Sequence, residues 1–258
     1  AVERIPPRCE FAACPGSGTS EANIRVFSPV AGDRVGRPVV IVGLAREFEN
    51  TFNYELLDAE NHVIAAAYGT AQAPDVGRYG AFSVALNYTS MPSTKTGFVK
   101  VFAHSAKDGS EIDVVKIPVT FADEEMTPLK VYFDLPAMKQ STDPSLVVEQ
   151  CEGVYPVMRV VPKTTAVAQA AIKELLKGPT PAEFSAGYTT SINSGVVLRS
   201  LSISGGVATV DFSEDFLHEF GGSCRVGMVI DQLSSTLAQF STIKEALFLV
   251  EGQPDRIQ

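Results

Sequence analysis

Between residues 22 and 122 the apolar positions come in short runs separated by turn residues. Ile24-Arg25-Val26-Phe27-Ser28 is closed by Pro29, and Val39 to Leu44 forms a second run. Phe52 to Leu56 alternates apolar and polar side chains and ends near Asp58; Val63 to Tyr68 follows a turn at Glu60-Asn61. Ala81 to Leu86 and Phe98 to His104 come next, and Asp108-Gly109 turns the chain into Ile112 to Phe121. Seven short strands at this spacing predict an all-β sandwich of immunoglobulin type. The chain has no Trp, so the Cys-Trp-Cys core of antibody domains is missing and the assignment rests on strand number and spacing.

After residue 128 the period changes. Leu129 to Phe133 and Val154 to Val161 predict strands, the latter closed by Pro162. Thr164-Thr165 can cap a helix carrying Val167, Ala168, Ala171, Ile172, Leu175 and Leu176 at helical spacing, stopped by Gly178-Pro179. Val196 to Ile203, a Gly205-Gly206 turn and Val207 to Phe212 predict a hairpin. Val226, Ile230, Leu233 and Leu237 stripe a second helix from about Cys224 to Ala238, before a last strand at Ala246 to Val250. Two helices on strands predict an α/β or α+β layer over one sheet. The domain reading is therefore a tail at 1–21, a β-sandwich at 22–122, an acidic linker at 123–128 (Asp-Glu-Glu-Met-Thr-Pro) and the α/β domain at 129–258.

Charge narrows the function classes. A net charge of -9 argues against nucleic-acid binding, which needs a basic footprint, and against docking on anionic lipid by charge alone. No stretch reaches the roughly 18 apolar residues of a membrane span, so none is expected in this chain. The first residue is Ala1 and no apolar signal core follows, so a start removed before this point is expected. Phe11-Ala12-Ala13-Cys14 resembles a lipoprotein cleavage box but is preceded by Arg8, Cys9 and Glu10.

The four cysteines are even in number. Cys9 with Cys14 and Cys151 with Cys224 is the natural pairing, one of three connectivities, and would imply an oxidising compartment; four reduced thiols are the alternative. No Cys-x-x-Cys occurs and His62, His104 and His218 are scattered, so no metal site and no cofactor are expected. Asp211, Glu214 and Asp215 cluster, as do Asp123, Glu124 and Glu125; the first group reads as a strand end and turn, the second as a solvated spacer. No Gly-x-Ser-x-Gly elbow or phosphate loop is present. Gly221-Gly222-Ser223 before the second helix reads as a flexible entry with Ser223 as N-cap, an anion site being the weaker alternative. Tyr54, Tyr68, Tyr79 and Tyr88 are dispersed, which favours packing over a sugar platform. No catalytic residue is assigned.

The second half resembles the sporulation and germination domain called GerMN. The marks are Val131-Tyr132-Phe133, Leu175-Leu176-Lys177-Gly178-Pro179, Gly187-Tyr188-Thr189-Thr190, Gly206 to Ser213, Thr236 to Phe240 and Phe248-Leu249-Val250-Glu251-Gly252. The first half resembles the immunoglobulin-like GerMN-associated domain, with Ile24-x-Val26-x-Ser28-Pro29, Pro38-Val39-x-Ile41-x-Gly43, Glu47-Phe48-Glu49, Phe52, Asp58, Gly80-x-Phe82, Val101-Phe102-x-x-Ser105, Asp108-Gly109-Ser110 and Ile117-Pro118-Val119. The resemblance implies a non-catalytic extracytoplasmic bacterial envelope protein, secreted or lipoprotein-like, acting as a binding or scaffold module. Its partners would be envelope proteins or further copies of itself. Cell-wall glycan or small-ligand binding is the alternative, and wall-polymer hydrolysis through Asp211 a remote one. Cys151 and Cys224 are not recognised family positions.

Overall fold

The computed structural model describes residues 22–89, 92–139, 153–218 and 221–254. In chain order the first half forms β1 (Ile24–Ser28), β2 (Arg34–Arg37), β3 (Val39–Ala45), β4 (Thr51–Asp58), β5 (Val63–Thr70), β6 (Gly80–Leu86), β7 (Thr96–His104) and β8 (Glu111–Phe133). One sheet has the order β1-β3-β6; the other runs β2-β8-β7-β4-β5. Two facing sheets are consistent with the immunoglobulin-like expectation. The seven expected strands are all present, and β2 is an addition. Its sequence, Arg-Val-Gly-Arg, has one buried position and no alternation long enough to announce a strand.

The sandwich core is built from the inward positions of both sheets. Ile41, Phe52, Leu56, Val99 and Val101 are fully buried, and the rings of Phe52 and Phe82 lie 4.3 Å apart between centroids. At Gly97 the sheet admits no side chain. A Cβ there would meet the Leu57 carbonyl oxygen at 2.1 Å and the Phe121 ring at 2.5 Å.

The segment 123–128, read from sequence as a linker, is strand. It lies within β8, which runs 23 residues without a break. Glu125 lies in register with Arg37 of β2, while Met126, Thr127 and Pro128 pair with Pro162, Val161 and Val160 of β9 (Tyr155–Pro162). Pro128 is tolerated because of strand parity. Lys130 and Tyr132, two and four residues on, direct their N–H groups away from β9 to side chains of another element, so the missing donor at 128 would also have faced away from β9.

The second half continues with α1 (Val167–Leu176), α2 (Pro181–Ser185), β10 (Leu198–Ser204), β11 (Val207–Phe212), α3 (Ser223–Ala238) and β12 (Glu245–Val250). Strands β10 and β11 are antiparallel, and β11 and β12 are parallel, joined through α3. α1 and α3 pack on the second half of β8. The two expected helices are present; α2 is a third. It is a single turn held by a capping box. Thr180 Oγ1 accepts from the Glu183 amide, Glu183 accepts from the Thr180 amide, and Pro181 occupies the first turn. The cap residues differ from expectation. α1 begins after Ala166, with Thr164 Oγ1 accepting from the Ala166 amide, and α3 is preceded by Gly222 at φ +86°, leaving Ser223 as its first residue.

The core of this half collects Phe133, Ile172, Leu175, Tyr188, Phe212, Leu233 and Val250, all fully buried. The edge of β8 not covered by β9 is closed by side chains of α3 and of Gln239, which caps it. Thr236 Oγ1 accepts from the Tyr132 amide at 3.2 Å. The Gln239 side chain accepts from the Lys130 amide at 2.9 Å and donates to the Lys130 carbonyl at 2.7 Å, imitating a neighbouring strand.

Candidate functional site

Strand β10 has five of its seven residues exposed and none buried, the least cover of any described strand. Leu201 and Ile203 lie opposite Val210 and Ala208, so they share the sheet face that carries the buried residues. Ile203 is nevertheless 44% exposed. It lines a cleft of about 330 Å³ between the start of α1 and the sheet, with Leu201, Phe240, Val167 and Ala168 as apolar walls and Thr165, Gln169 and Thr242 as polar ones. Among the described residues β10 pairs only with β11, so its outer backbone edge has no partner strand. An unpaired ladder beside an apolar cleft is the geometry that accepts an extended segment: backbone groups supply the hydrogen bonds and alternate side chains enter the cleft. Val197, just before β10, and Leu247 on the opposite edge strand β12 are also exposed.

The carboxylates flagged from sequence have structural partners. Asp211 Oδ1 accepts from the Gly252 amide at 2.9 Å, and Oδ2 lies 3.7 Å from Arg199, which also pairs with Glu251. Asp215 accepts from Ser213 Oγ at 3.3 Å. Of the acids at 123–125, Asp123 binds Arg37 at 2.8 Å and Glu125 binds Lys163 at 2.9 Å.

The tyrosines do not form a platform. Tyr54 and Tyr88 are buried, Tyr68 is exposed, and the ring of Tyr79 is met by the guanidinium groups of Arg25 and Arg46, at 4.6 and 4.7 Å from its centre. His104 Nδ1 lies 3.1 Å from the Gly109 carbonyl. His218 is placed by its amide, which donates to Asp215 O. His62, read as isolated, is brought to Asp58 and Glu60 by the β4–β5 turn, with ligand atoms of the three within 4.8 Å of one another. Burial works to raise the Asp58 pKa, but hydrogen bonds from the His62 amide and ring hold it below the usual carboxylate range. Sequence reading saw a turn at Glu60-Asn61; the available signal was the alternation Asp58-x-Glu60-x-His62 across it.

Cys224 is disulfide-bonded. Cys9, Cys14 and Cys151 lie outside the described residues, as does the tail at 1–21. Glu47, also missed from sequence, is buried in the sandwich, and its Oε1 has no partner among the described residues. Burial, reinforced by the Asp113 carboxylate and opposed by Arg46, raises its pKa from 4.5 to about 7. No helix among the described residues is long and apolar enough to cross a membrane.

Comparison with known proteins bears on both halves. Residues 130–256 match the family described as sporulation and spore germination, and residues 23–110 match the immunoglobulin-like domain of bacterial spore germination. No curated protein matches. Among solved structures, the tandem GerMN domains of the Bacillus subtilis sporulation protein GerM are 23% identical, over 50% of this chain and 40% of that one, with a TM-score of 0.38. The first GerMN domain of that protein is 18% identical, over 50% of this chain and 85% of that one, with a TM-score of 0.37. A protein described as a lipoprotein from Clostridium perfringens is 18% identical, over 52% and 82%, with a TM-score of 0.31. The chain thus spans less than half of the tandem GerM structure. The chain carries a GerMN domain of the sporulation and spore germination type over residues 130–256 and an immunoglobulin-like domain of bacterial spore germination over residues 23–110.

Proposed function

We propose that the chain is a non-catalytic binding or scaffold protein of the bacterial envelope, working outside the cytoplasm, and that it docks an extended segment of a second copy of itself on β10. The observation that carries this reading is the unpaired β10 edge beside the cleft of Leu201, Ile203 and Phe240. Strand addition needs both parts: an open ladder for the backbone and a pocket for alternate side chains. Family membership supports the setting. The partners of Asp211 and Asp215 support a structural role for these carboxylates. Contacts of one surface with a different one on the next copy propagate into rings or filaments.

Sedimentation velocity of the full chain across a wide concentration range tests this. Concentration-dependent association that Ile203→Lys abolishes, with the far-UV spectrum unchanged, is the expected result. A monomer at every concentration, or association indifferent to Ile203→Lys, overturns it. Saturable pelleting with insoluble peptidoglycan that survives the same substitution would point instead to wall-glycan binding.

A further inference from the structure

The β4–β5 turn gathers three side chains of metal-ligating type that take no part in the docking cleft. Asp58 ends β4, Glu60 sits at the turn and His62 follows it. The Asp58 carboxylate is anchored, with Oδ1 accepting from the His62 amide at 2.8 Å and Oδ2 lying 3.0 Å from His62 Nδ1. Glu60 and His62 are exposed, so both can change rotamer without disturbing the core. The three donor atoms already lie within 4.8 Å of one another. Donors sharing one tetrahedral ion at bond lengths of about 2.0–2.1 Å stand roughly 3.3 Å apart. The Asp58–His62 pair is near that spacing, and Glu60 closes the remainder by side-chain rotation.

We propose that Asp58, Glu60 and His62 form a binding site for a divalent transition-metal ion of the zinc class, with water completing the coordination. One imidazole nitrogen and two carboxylate oxygens favour such an ion over calcium, which takes six or more oxygen ligands. The site forms because the turn folds an anchored acid against an i+4 histidine. The registers place it at the end of the sandwich where Asp58, Gly97 and Val119 lie side by side, the end from which β8 runs on to β9. Lys116 donates to Asn61 Oδ1 of the same turn.

The test is calorimetric titration of the full, non-reduced chain with zinc chloride and, separately, calcium chloride. One zinc ion per chain is expected, weakened at least tenfold by His62→Ala and severalfold by Glu60→Gln, with melting of the ion-free variants unchanged. Proton NMR would show the His62 ring signals shifting with zinc while those of His104 and His218 stay fixed. Zinc binding equal in wild type and His62→Ala, no binding at millimolar zinc, or tighter binding of calcium than of zinc would each overturn the proposal. Because self-association is read separately, through Ile203, failure of either idea leaves the other standing.

Discussion

Arg159 and Glu183 meet in a two-bond fork, with Nε donating to Oε1 at 3.0 Å and Nη2 to Oε2 at 2.6 Å. The remaining donors of Arg159 reach the end of α1, at the Glu174 carbonyl (2.5 Å) and the Gly178 carbonyl (2.6 Å), while its guanidinium lies 5.2 Å from the centre of the Phe133 ring. Both side chains are buried. One residue of β9 therefore ties together α1, α2 and β8, and the Leu175-Leu176-Lys177-Gly178-Pro179 stretch is explained as the helix end that this arginine receives.

Breaking that pair should be costly. Arg159→Met leaves the buried Glu183 carboxylate with the Thr180 amide as its remaining donor and takes a donor from each of the Glu174 and Gly178 carbonyls, a loss of about 3–5 kcal/mol. Arg159→Lys should recover little, since an ammonium cannot form the fork. Urea denaturation checks both; Glu183→Gln, which keeps one hydrogen bond, should lie between wild type and Arg159→Met.

Glu47 makes the sandwich sensitive to pH. Its folded pKa, about 7, lies above the ordinary 4.5, so folding favours the protonated form. Its contribution is complete below about pH 4.5 and is lost as pH rises through 7. Glu47→Gln should flatten this dependence and stabilise the protein at pH 8 by about 1–2 kcal/mol, a figure reduced because water still screens the carboxylate. Asp113→Asn should move the midpoint down, as it removes the neighbouring negative charge. Thermal melts from pH 4 to 9 read both effects.

Gly97→Ala should cost about 3 kcal/mol or more, because the added carbon meets backbone oxygen, which cannot rotate away. Gly221→Ala, where a Cβ meets nothing within 4 Å, should stay within about 0.5 kcal/mol. Parallel denaturation curves give the contrast.

The disulfide at Cys224 is expected to join it to Cys151. Peptide mapping without reductant should yield that linked pair, and reduction should lower stability by about 2–4 kcal/mol. A linked peptide containing Cys9 or Cys14 with Cys224 would refute the assignment.

The sandwich was legible because its strands alternate, and the long helices because their stripes repeat. What escaped did so for identifiable reasons. β2 is too short for periodicity to act on. Residues 123–128 read as a spacer because their acids are solvated, and neither solvation nor Pro128 prevents pairing when the missing donor faces away from β9. The Thr180-Pro181-Ala182-Glu183 capping box was present in the sequence but lay behind the Gly178-Pro179 stop. Glu47 is an acid whose burial no local pattern announces. The β10 edge and its cleft are products of packing: Ile203 and Phe240 are far apart in sequence and line the same cleft only in the folded chain.

The unbroken β8 has a mechanical consequence. At about 3.3 Å per residue its 23 residues extend roughly 75 Å, with the β7 ladder fastened to one length and the β9 ladder to the next. Tension applied along this strand passes through covalent backbone rather than through an interface. It loads both ladders in shear, where many hydrogen bonds must fail together. A protein built around such a tie bar resists stretching along that axis.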